Sequence, residues 1–183
     1  MHLRVSTEIP LSEPSVDCGL ITWFDIEILD DYADNDEDEP KTKLIGHARV
    51  ARIHTSHAFD SGEPIWEALD ADSGELQALD DVFFDDGWLK DEFYDGVGAD
   101  ILYVSEIDID AAYEHRNIDL AVVRRLCDTL GQGAALAVVH YAAPEEMMHW
   151  ERMGFEMATP GVNEGYVCLR LANRTARVDD RDN

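Results

Sequence analysis

The residues most able to do chemistry in this sequence are its histidines and its possible nucleophiles, and their spacing limits what they can do. Seven histidines occur, at positions 2, 47, 54, 57, 115, 140 and 149, with no HxxxH or HxH arrangement. The nearest pair, His54 and His57, has only Asp60 close by as a further ligand, so we expect no structural metal. Ser105 and Cys127 lack a partnered histidine at a recognisable spacing, which argues against a nucleophilic triad.

Length and composition predict one folded unit. The chain has 183 residues, 45% of them hydrophobic, which suffices for one substantial core and predicts a single domain over residues 1–172, followed by a polar, disordered tail at 173–183. The longest apolar stretches are too short to span a bilayer, and no signal pattern opens the chain, so we expect a soluble, cytoplasmic protein. Cys18, Cys127 and Cys168 are odd in number and widely spaced, which predicts buried, reduced thiols.

Charge is the strongest compositional signal. Forty Asp and Glu face fourteen Lys and Arg, for a formal net charge of -26. Such a surface repels a phosphate backbone and argues against nucleic acid as a direct partner. Two interpretations stay open: salt adaptation or a merely solubilising surface, which we favour, and mimicry of DNA toward a basic nucleic-acid-binding protein. The acidic run at 30–39, closed by Pro40, is either a solvated loop or a docking surface.

The first half of the chain predicts strands followed by helices. Residues 1–17 suit an edge strand and lead-in, and alternating apolar residues predict longer strands at 20–29 and 43–54, with a possible bulge at Gly46.

Residues 57–100 are predicted to be helical. Asp72 and Glu75 have the spacing of a capping box ahead of an apolar helical stripe, and Gly87 should end that helix. A further short helix is predicted at 88–94.

The second half predicts a βαβ unit. A β-branched strand at 101–109 precedes a helix at 119–130, Gly131 occupies a C′ position, and 134–141 is a nearly all-apolar central strand. This order implies a parallel strand pair. A helix from Pro144 to Gly154 and a last strand at 166–171 follow.

Two strings place residues 101–172 beside a known family. The segment YEHRNIDLAVVRRL at 113–126, between strand and helix, and HWERMGF at 149–155 resemble the GNAT superfamily of acyl-CoA-dependent N-acyltransferases. The resemblance implies an α/β fold with a mixed, mostly antiparallel sheet, splayed by one parallel pair and covered by helices on both faces.

In that family the loop before the long helix reads Arg/Gln-x-x-Gly-x-Gly/Ala, and its backbone N–H groups hold the pyrophosphate of acetyl-CoA. Here Glu114 matches the Arg/Gln position, and Asn117 and Asp119 match the two glycines. Two carboxylates facing a diphosphate would each cost on the order of 1 kcal/mol or more. Asn117 and Asp119 equally suit helix capping, which we favour, whereas His115 and Arg116 are possible cations for a phosphate. The resemblance thus implies a degenerate acetyl-CoA loop formed by Ile109, Glu114, His115, Arg116, Asn117, Ile118 and Asp119.

Catalysis in this family often uses a Glu on the preceding strand as base and a Tyr in the helix before the Gly-Phe pair as acid. The resemblance implies Glu106 as the candidate base, with Asp108 on the same face, although both are equally explained as surface carboxylates. The Tyr position falls on Trp150, more simply a core residue, which leaves Tyr141 as a weak candidate acid.

Two functional hypotheses follow from this combination. In the favoured one, a GNAT-fold protein has impaired or lost acetyl-CoA binding and acts as an acidic protein-binding or inhibitory module, with a basic or nucleic-acid-binding protein as partner. The alternative is an active acetyl-CoA-dependent N-acetyltransferase, possibly salt-adapted. Neither hypothesis involves a membrane, and the acceptor and oligomeric state are left open.

Overall fold

The computed structural model describes residues 1–8, 19–32, 41–62, 64–94, 98–161 and 165–171. Residues 33–40 of the predicted acidic loop, the tail and Cys18 lie outside the described residues. The strands are β1 (His2–Ser6), β2 (Ile21–Tyr32), β3 (Lys41–Ile53), β4 (Phe84–Asp85), β5 (Trp88–Leu89), β6 (Asp100–Ile109), β7 (Ala134–Tyr141), β8 (Glu156–Met157) and β9 (Gly165–Arg170). The α-helices are α1 (Thr55–Ser61), α2 (Trp66–Asp72), α3 (Gly74–Phe83), α4 (Ile118–Thr129) and α5 (Pro144–Glu151).

One mixed sheet organises the described part of the chain. Its seven strands run in the order β1-β2-β3-β6-β7-β9-β8, and β4 and β5 form a separate hairpin. Every neighbouring pair in the large sheet is antiparallel except β6 and β7, which are parallel. The predicted α/β architecture, a mostly antiparallel sheet with one parallel pair, is therefore confirmed.

The two faces of the sheet carry separate apolar cores. Leu102 and Val104 of β6 face the core under α4 and α5, where Val122 and Trp150 pack. The alternate residues of β6, including Tyr103, face the core under α1 to α3. This division follows from the two-residue period of a strand that is buried on both sides.

The predicted bulge lies next to Gly46. Ile28 pairs with Gly46 and Leu29 with Leu44, so Ile45 is the extra residue of β3. A Cβ atom on Gly46 would meet the carbonyl oxygen of Asp108 on the adjacent strand. Glycine is required here by the close approach of two backbones.

The helical segment 57–100 departs from prediction in three details. The N-cap of α3 is Ser73, whose hydroxyl accepts from the amide of Leu76, whereas Asp72 accepts from the indole N–H of Trp23. Helix α3 ends at Phe83, before Gly87, because the chain then turns back as the β4–β5 hairpin. That hairpin and a following turn replace the predicted helix at 88–94.

The predicted βαβ unit is confirmed by β6, α4 and β7, but its glycine is explained differently. Gly131 does not adopt the left-handed conformation; Gly133 does, with φ of 79°. A Cβ atom on Gly131 would lie 2.6 Å from the carbonyl oxygen of Cys127, so close packing selects glycine there. Pro144 stands in the first turn of α5 as predicted, and the two-residue strand β8 was not predicted.

The thiols in the described residues are buried. Cys127 and Cys168 are free cysteines in the interior, as expected, and burial raises the pKa of Cys168 to about 11. The Cys168 thiol is therefore protonated at neutral pH.

Candidate functional site

A cleft opens where the parallel strands separate. Pairing between β6 and β7 runs from Asp100 opposite Ala134 to Val104 opposite Val139. Beyond that point β6 pairs only with β3, as far as Ile109, while β7 pairs with β9 as far as Tyr141. The diverging strand ends leave a V-shaped gap between them.

A β-bulge at Ser105 sets which side chains face this gap. Arg49 pairs with Glu106 and Val50 with Val104, so Ser105 is the extra residue. Before the bulge the even-numbered residues of β6 face the α4 core; after it, Ile107 packs there instead. The bulge therefore turns Glu106 and Asp108 out of the core, where both are exposed.

The gap is an acidic cleft. We use this name for the space of about 440 Å³ lined by the carboxylates of Glu106, Asp119, Glu145 and Glu146. His149 is also in its lining. A negative wall of this kind favours a cationic ligand over an anionic one.

A second hollow of about 380 Å³ continues from the acidic cleft toward the start of α4. Asp108, Glu114 and Asp119 contribute its carboxylates. Asp119 and His149 line both spaces, and His149 Nε2 lies 2.5 Å from Asp119 Oδ2. The two side chains thus form a bridge between α4 and α5 that separates the hollow from the cleft.

A second bridge joins the same two elements. Arg152, directly after α5, donates from Nη1 to Oδ1 of Asn117 at 2.8 Å. Asn117 immediately precedes α4 and has the left-handed conformation, with φ of 50°. The first position of the degenerate glycine pair therefore keeps a backbone conformation that glycine adopts readily, while its amide side chain links two helices.

The charged side chains near the loop before α4 make contacts with the loop itself. Asp110 accepts from the amide of Ala112 and lies 3.4 Å from Lys43 Nζ, and these contacts lower the pKa of Asp110. The guanidinium carbon of Arg116 lies 5.4 Å from the ring centroid of Tyr113, on which Lys43 also stacks. Both cations are engaged with the loop, and His115 is exposed beside them.

A diphosphate does not suit the side chains at this position. Where the resemblance places the pyrophosphate, the hollow presents Asp108, Glu114 and Asp119, while the nearby Arg116 stacks on Tyr113 and Arg152 bonds Asn117. Backbone N–H groups at a helix N-terminus favour anions, but these carboxylates oppose one.

The candidate acid and base occupy very different environments. Glu106 lines the acidic cleft, which is the position a base would need, and its catalytic role stays a prediction. Tyr141 is completely buried in the core with Trp150 and Phe155 and does not line the acidic cleft, so its role as an acid stays a prediction. Trp150 packs against Phe155 at 5.9 Å between ring centroids, consistent with a core role.

A buried polar cluster at the opposite end of β6 was not found from the sequence. Asp100 Oδ2 accepts from Arg52 Nη2 at 3.0 Å and lies 3.5 Å from His54 Nδ1, and His54 Nε2 lies 3.0 Å from Thr22 Oγ1. The order threonine, histidine, aspartate resembles a nucleophilic triad. However, Asp100 is buried and ion-paired with Arg52, and the cluster joins neighbouring strands of the sheet, which supports a structural role.

The Asp100 cluster ties three segments together. Asp100 Oδ1 accepts from the amide of Ser56, and Arg52 Nη1 also donates to the carbonyl of Leu130. Burial alone would raise the pKa of Asp100, but hydrogen bonds from His54, Ser56 and Arg52 outweigh it and lower that pKa. The only sequence signal was one acid directly before an apolar strand.

Two structural features are absent from the described residues. None of their helices is both long and apolar enough to cross a membrane. Nor do those residues bring together three or more His, Cys, Asp or Glu side chains in a metal-binding group.

Comparison with known proteins gives matches in structure only. No family model matches the sequence, and no curated protein matches it. Among solved structures, Arabidopsis thaliana NAA60 in complex with acetyl-CoA matches at 14% identity and a TM-score of 0.44, covering 82% of this chain and 75% of that one. A Drosophila melanogaster polyamine N-acetyltransferase matches at 12% identity and 0.44, covering 90% and 85%.

A mutant of the toxin AtaT bound to the C-terminus of the antitoxin AtaR matches at 8% identity and a TM-score of 0.48, with 97% of this chain and 98% of that chain covered. At these identities, and with TM-scores below 0.5, the matches carry no argument. Strand order, the single parallel pair and the bulge on β6 are the independent grounds for a GNAT-like fold.

Proposed function

We propose that this chain is a GNAT-fold binding module that has lost acetyl-CoA binding and receives a basic segment of a protein partner in its acidic cleft. The observation that carries the proposal is the replacement of an anion-binding site by carboxylates. Glu106, Asp119, Glu145 and Glu146 line the cleft, and Glu114 extends the acid toward α4.

The bridges between α4 and α5 support the loss of cofactor binding. His149 and Asp119 stand between the acidic cleft and the hollow at the start of α4. An acyl-CoA would need a continuous path from the diphosphate site into the gap between the strands. Opening that path requires the bridge to separate, and the diphosphate would then face an unpaired Asp119 carboxylate.

The charge pattern on strands β2, β3 and β6 favours a basic protein segment as the ligand and argues against full mimicry of DNA. Asp25 and Glu27 on β2 are separated from Glu106 and Asp108 on β6 by Arg49 and His47 of β3. A phosphate-like surface requires continuous rows of negative charge, and here a basic strand interrupts them. The residues that line the acidic cleft include no arginine or lysine, although Arg49 on β3 is the strand neighbour of Glu106.

Calorimetric titration with acetyl-CoA tests the first half of the proposal. We expect no heat of binding at about 0.15 M or about 1 M salt, with circular dichroism showing a folded protein in both buffers. A triple variant, Glu114→Gln, Asn117→Gly and Asp119→Gly, restores the family pattern and should gain binding. Micromolar binding by the unaltered protein would contradict the proposal.

Titration with a short polyarginine peptide tests the second half. Because the whole protein is negative, the decisive comparison is between two variants of equal charge. Removing cleft charges with Glu106→Gln and Glu145→Gln should weaken binding about tenfold. Removing Glu67 and Asp70, exposed on α2, by Glu67→Gln and Asp70→Asn should weaken it less than about twofold. Equal losses would mean that no cleft is used.

The second candidate function is an active, acetyl-CoA-dependent N-acetyltransferase. One observation favours it: the strands diverge at the bulge, and Glu106 lines the gap as a base would. In that case the unaltered protein binds acetyl-CoA, and Glu106→Gln abolishes acetyl transfer to amines without weakening cofactor binding.

A further inference from the structure

A different cleft lies at the opposite end of β6. It has a volume of about 430 Å³ and opens between α1, the β4–β5 hairpin and the turn that follows. Three aromatic residues, Phe59, Trp88 and Tyr94, line it together with two carboxylates, Asp60 and Asp91. We call it the aromatic cleft. The aromatic cleft ends at Ala99 and the lining of the acidic cleft begins at Val104, about 17 Å further along the chain. The two clefts share no lining residue, so the aromatic cleft is independent of the function proposed above.

The aromatic side chains of this cleft are unusually open to solvent. Phe59 is 71% exposed, Tyr94 is 52% exposed and Trp88 is 36% exposed. Trp66, also exposed, lies beside the same hairpin. Four of the five exposed aromatic residues in the described chain are therefore gathered around one hairpin; the fifth is Tyr32. Clustered apolar exposure marks a binding surface, whereas single exposed residues need no explanation.

Two of the rings form adjoining walls. The centroids of Phe59 and Trp88 are 5.6 Å apart, and the ring planes meet at 76°. This edge-to-face contact fixes the two rings relative to each other. It also leaves an aromatic face directed away from the contact, and aromatic faces carry the negative part of the ring quadrupole.

The hairpin and the turn that carry these rings are held firmly. Asp86 and Gly87 both have positive φ, 51° and 80°, as the tight turn of a two-residue hairpin requires. Gly87 packs so closely on Pro64 that a Cβ atom there would lie 2.6 Å from the proline Cβ. On the turn side, Phe93 packs on Phe83 with ring centroids 5.0 Å apart.

The floor of the aromatic cleft is equally well ordered. The Thr55 hydroxyl donates to the carbonyl of Ala99, and the amide of Ser56 donates to Asp100 at 3.1 Å. The buried Asp100 cluster therefore supports the cleft from beneath. A ligand would meet walls that are already in place, which reduces the entropy cost of binding.

From this arrangement we propose that the aromatic cleft binds a trimethylammonium group. Aromatic faces attract an organic cation, and Asp60 and Asp91 add negative charge at the same place. A primary ammonium is strongly hydrated and needs several hydrogen-bond acceptors. A trimethylammonium group has no N–H and contacts the rings through its methyl groups. It therefore fits a cleft lined by aromatic rings and carboxylates.

Calorimetry with choline and with its neutral isostere 3,3-dimethylbutan-1-ol tests the proposal. Choline should bind saturably at one site with a dissociation constant of about 1 mM or lower. The isostere has the same shape without the charge and should bind at least about tenfold more weakly. Titrations at about 0.5 M sodium chloride suppress diffuse attraction of cations to the acidic surface. Equal binding of the two compounds would overturn the proposal.

A second pair of ligands distinguishes a free small molecule from a protein as the source of the group. A short peptide with one trimethyllysine is compared with the same peptide carrying unmodified lysine. Tighter binding of the methylated peptide than of choline identifies a protein source, and the reverse identifies a small molecule. Measurable and equal binding of the two peptides, or no saturable binding by either choline or the methylated peptide, would overturn the proposal.

Variants locate the site without endangering the fold. Phe59→Ala removes a largely exposed ring and should weaken choline binding about tenfold, as should Trp88→Ala. Tyr32→Ala removes an exposed aromatic residue on β2, outside the cleft, and should have no effect. Unchanged choline affinity in both Phe59→Ala and Trp88→Ala, with the folded spectrum retained, would also overturn the proposal.

Discussion

The two ends of strand β6 carry carboxylates in opposite circumstances. At its first residue, Asp100 is buried and receives hydrogen bonds from Arg52 and from the amide of Ser56. Toward its last residue, Glu106 and Asp108 are exposed beside open space. A carboxylate whose partners lie within the chain holds elements together, whereas one that keeps its hydration remains available to a ligand.

The largest predicted effect is at the buried end. Asp100→Asn keeps the shape of the side chain but removes the charge that Arg52 faces, leaving a partly buried cation without its counterion. We expect the free energy of unfolding to fall by about 3–5 kcal/mol. Urea denaturation followed by circular dichroism measures this loss.

The matched control is on the same strand. Asp108→Asn makes the identical chemical change at an exposed position and should alter the free energy of unfolding by less than about 0.5 kcal/mol. Similar losses for the two variants would remove the distinction between the ends of β6.

The next prediction is that the stability difference between the unaltered protein and Asp100→Asn depends on pH. The folded pKa of Asp100 lies below its ordinary value of 3.8. Its contribution to stability is therefore complete above the unfolded pKa and is lost as the pH falls through the folded one. The stability gap between the unaltered protein and Asp100→Asn should thus shrink as the pH falls below about 4.

Repeating the urea titrations with Asp108→Asn separates this effect from general loss of surface charge, because its gap to the unaltered protein should stay near zero. If the difference in free energy of unfolding between the unaltered protein and Asp100→Asn grew on acidification, the folded pKa of Asp100 would be raised and the prediction would be wrong.

Features of the fold that depend on neighbouring residues could be predicted from the sequence. Apolar alternation and the glycine and proline positions predicted β2, β3, β6, β7, α4 and α5, because burial of one face or both leaves a periodic pattern. The acidic replacements at Glu114 and Asp119 were also visible once the loop had been aligned. These features depend on neighbours in sequence.

Features that depend on partners far along the chain were missed. Thr22, His54 and Asp100 meet only because β2, β3 and β6 are adjacent, and no local pattern links them. Asp72 and Glu75 had capping spacing, but tertiary contacts with Trp23 and Tyr103 use both carboxylates. The bulge at Ser105 left a weaker trace: two consecutive polar residues that interrupt the alternation of β6.

A smaller effect is expected from backbone packing at the open end of β6. In Gly46→Ala, the new methyl group would meet the Asp108 carbonyl and lie 3.2 Å from the Cα atom of Ile109. We expect a loss of about 1–3 kcal/mol in the free energy of unfolding. This loss would show that close strand pairing holds the end of β6 that carries the exposed carboxylates Glu106 and Asp108.

Gly74→Ala is the control for that substitution. Nothing lies within 4 Å of a Cβ atom at this position in the first turn of α3, so alanine should leave stability unchanged or raise it by up to about 1 kcal/mol. If Gly46→Ala were as harmless as Gly74→Ala, the strands would not be packed as closely as described.

The smallest predicted effect concerns the bridge across the acidic cleft. The side chains of His149 and Asp119 are 29% and 27% exposed, so water weakens their attraction. A double-mutant cycle with His149→Ala and Asp119→Ala should give a coupling of about 0.2–1 kcal/mol, smaller still at about 1 M salt. A coupling energy above about 2 kcal/mol that does not change with salt would make this pair a structural ion pair like Asp100 and Arg52. The acidic cleft would then be a structural junction, whereas weak coupling lets a basic segment displace His149 from Asp119 at little cost.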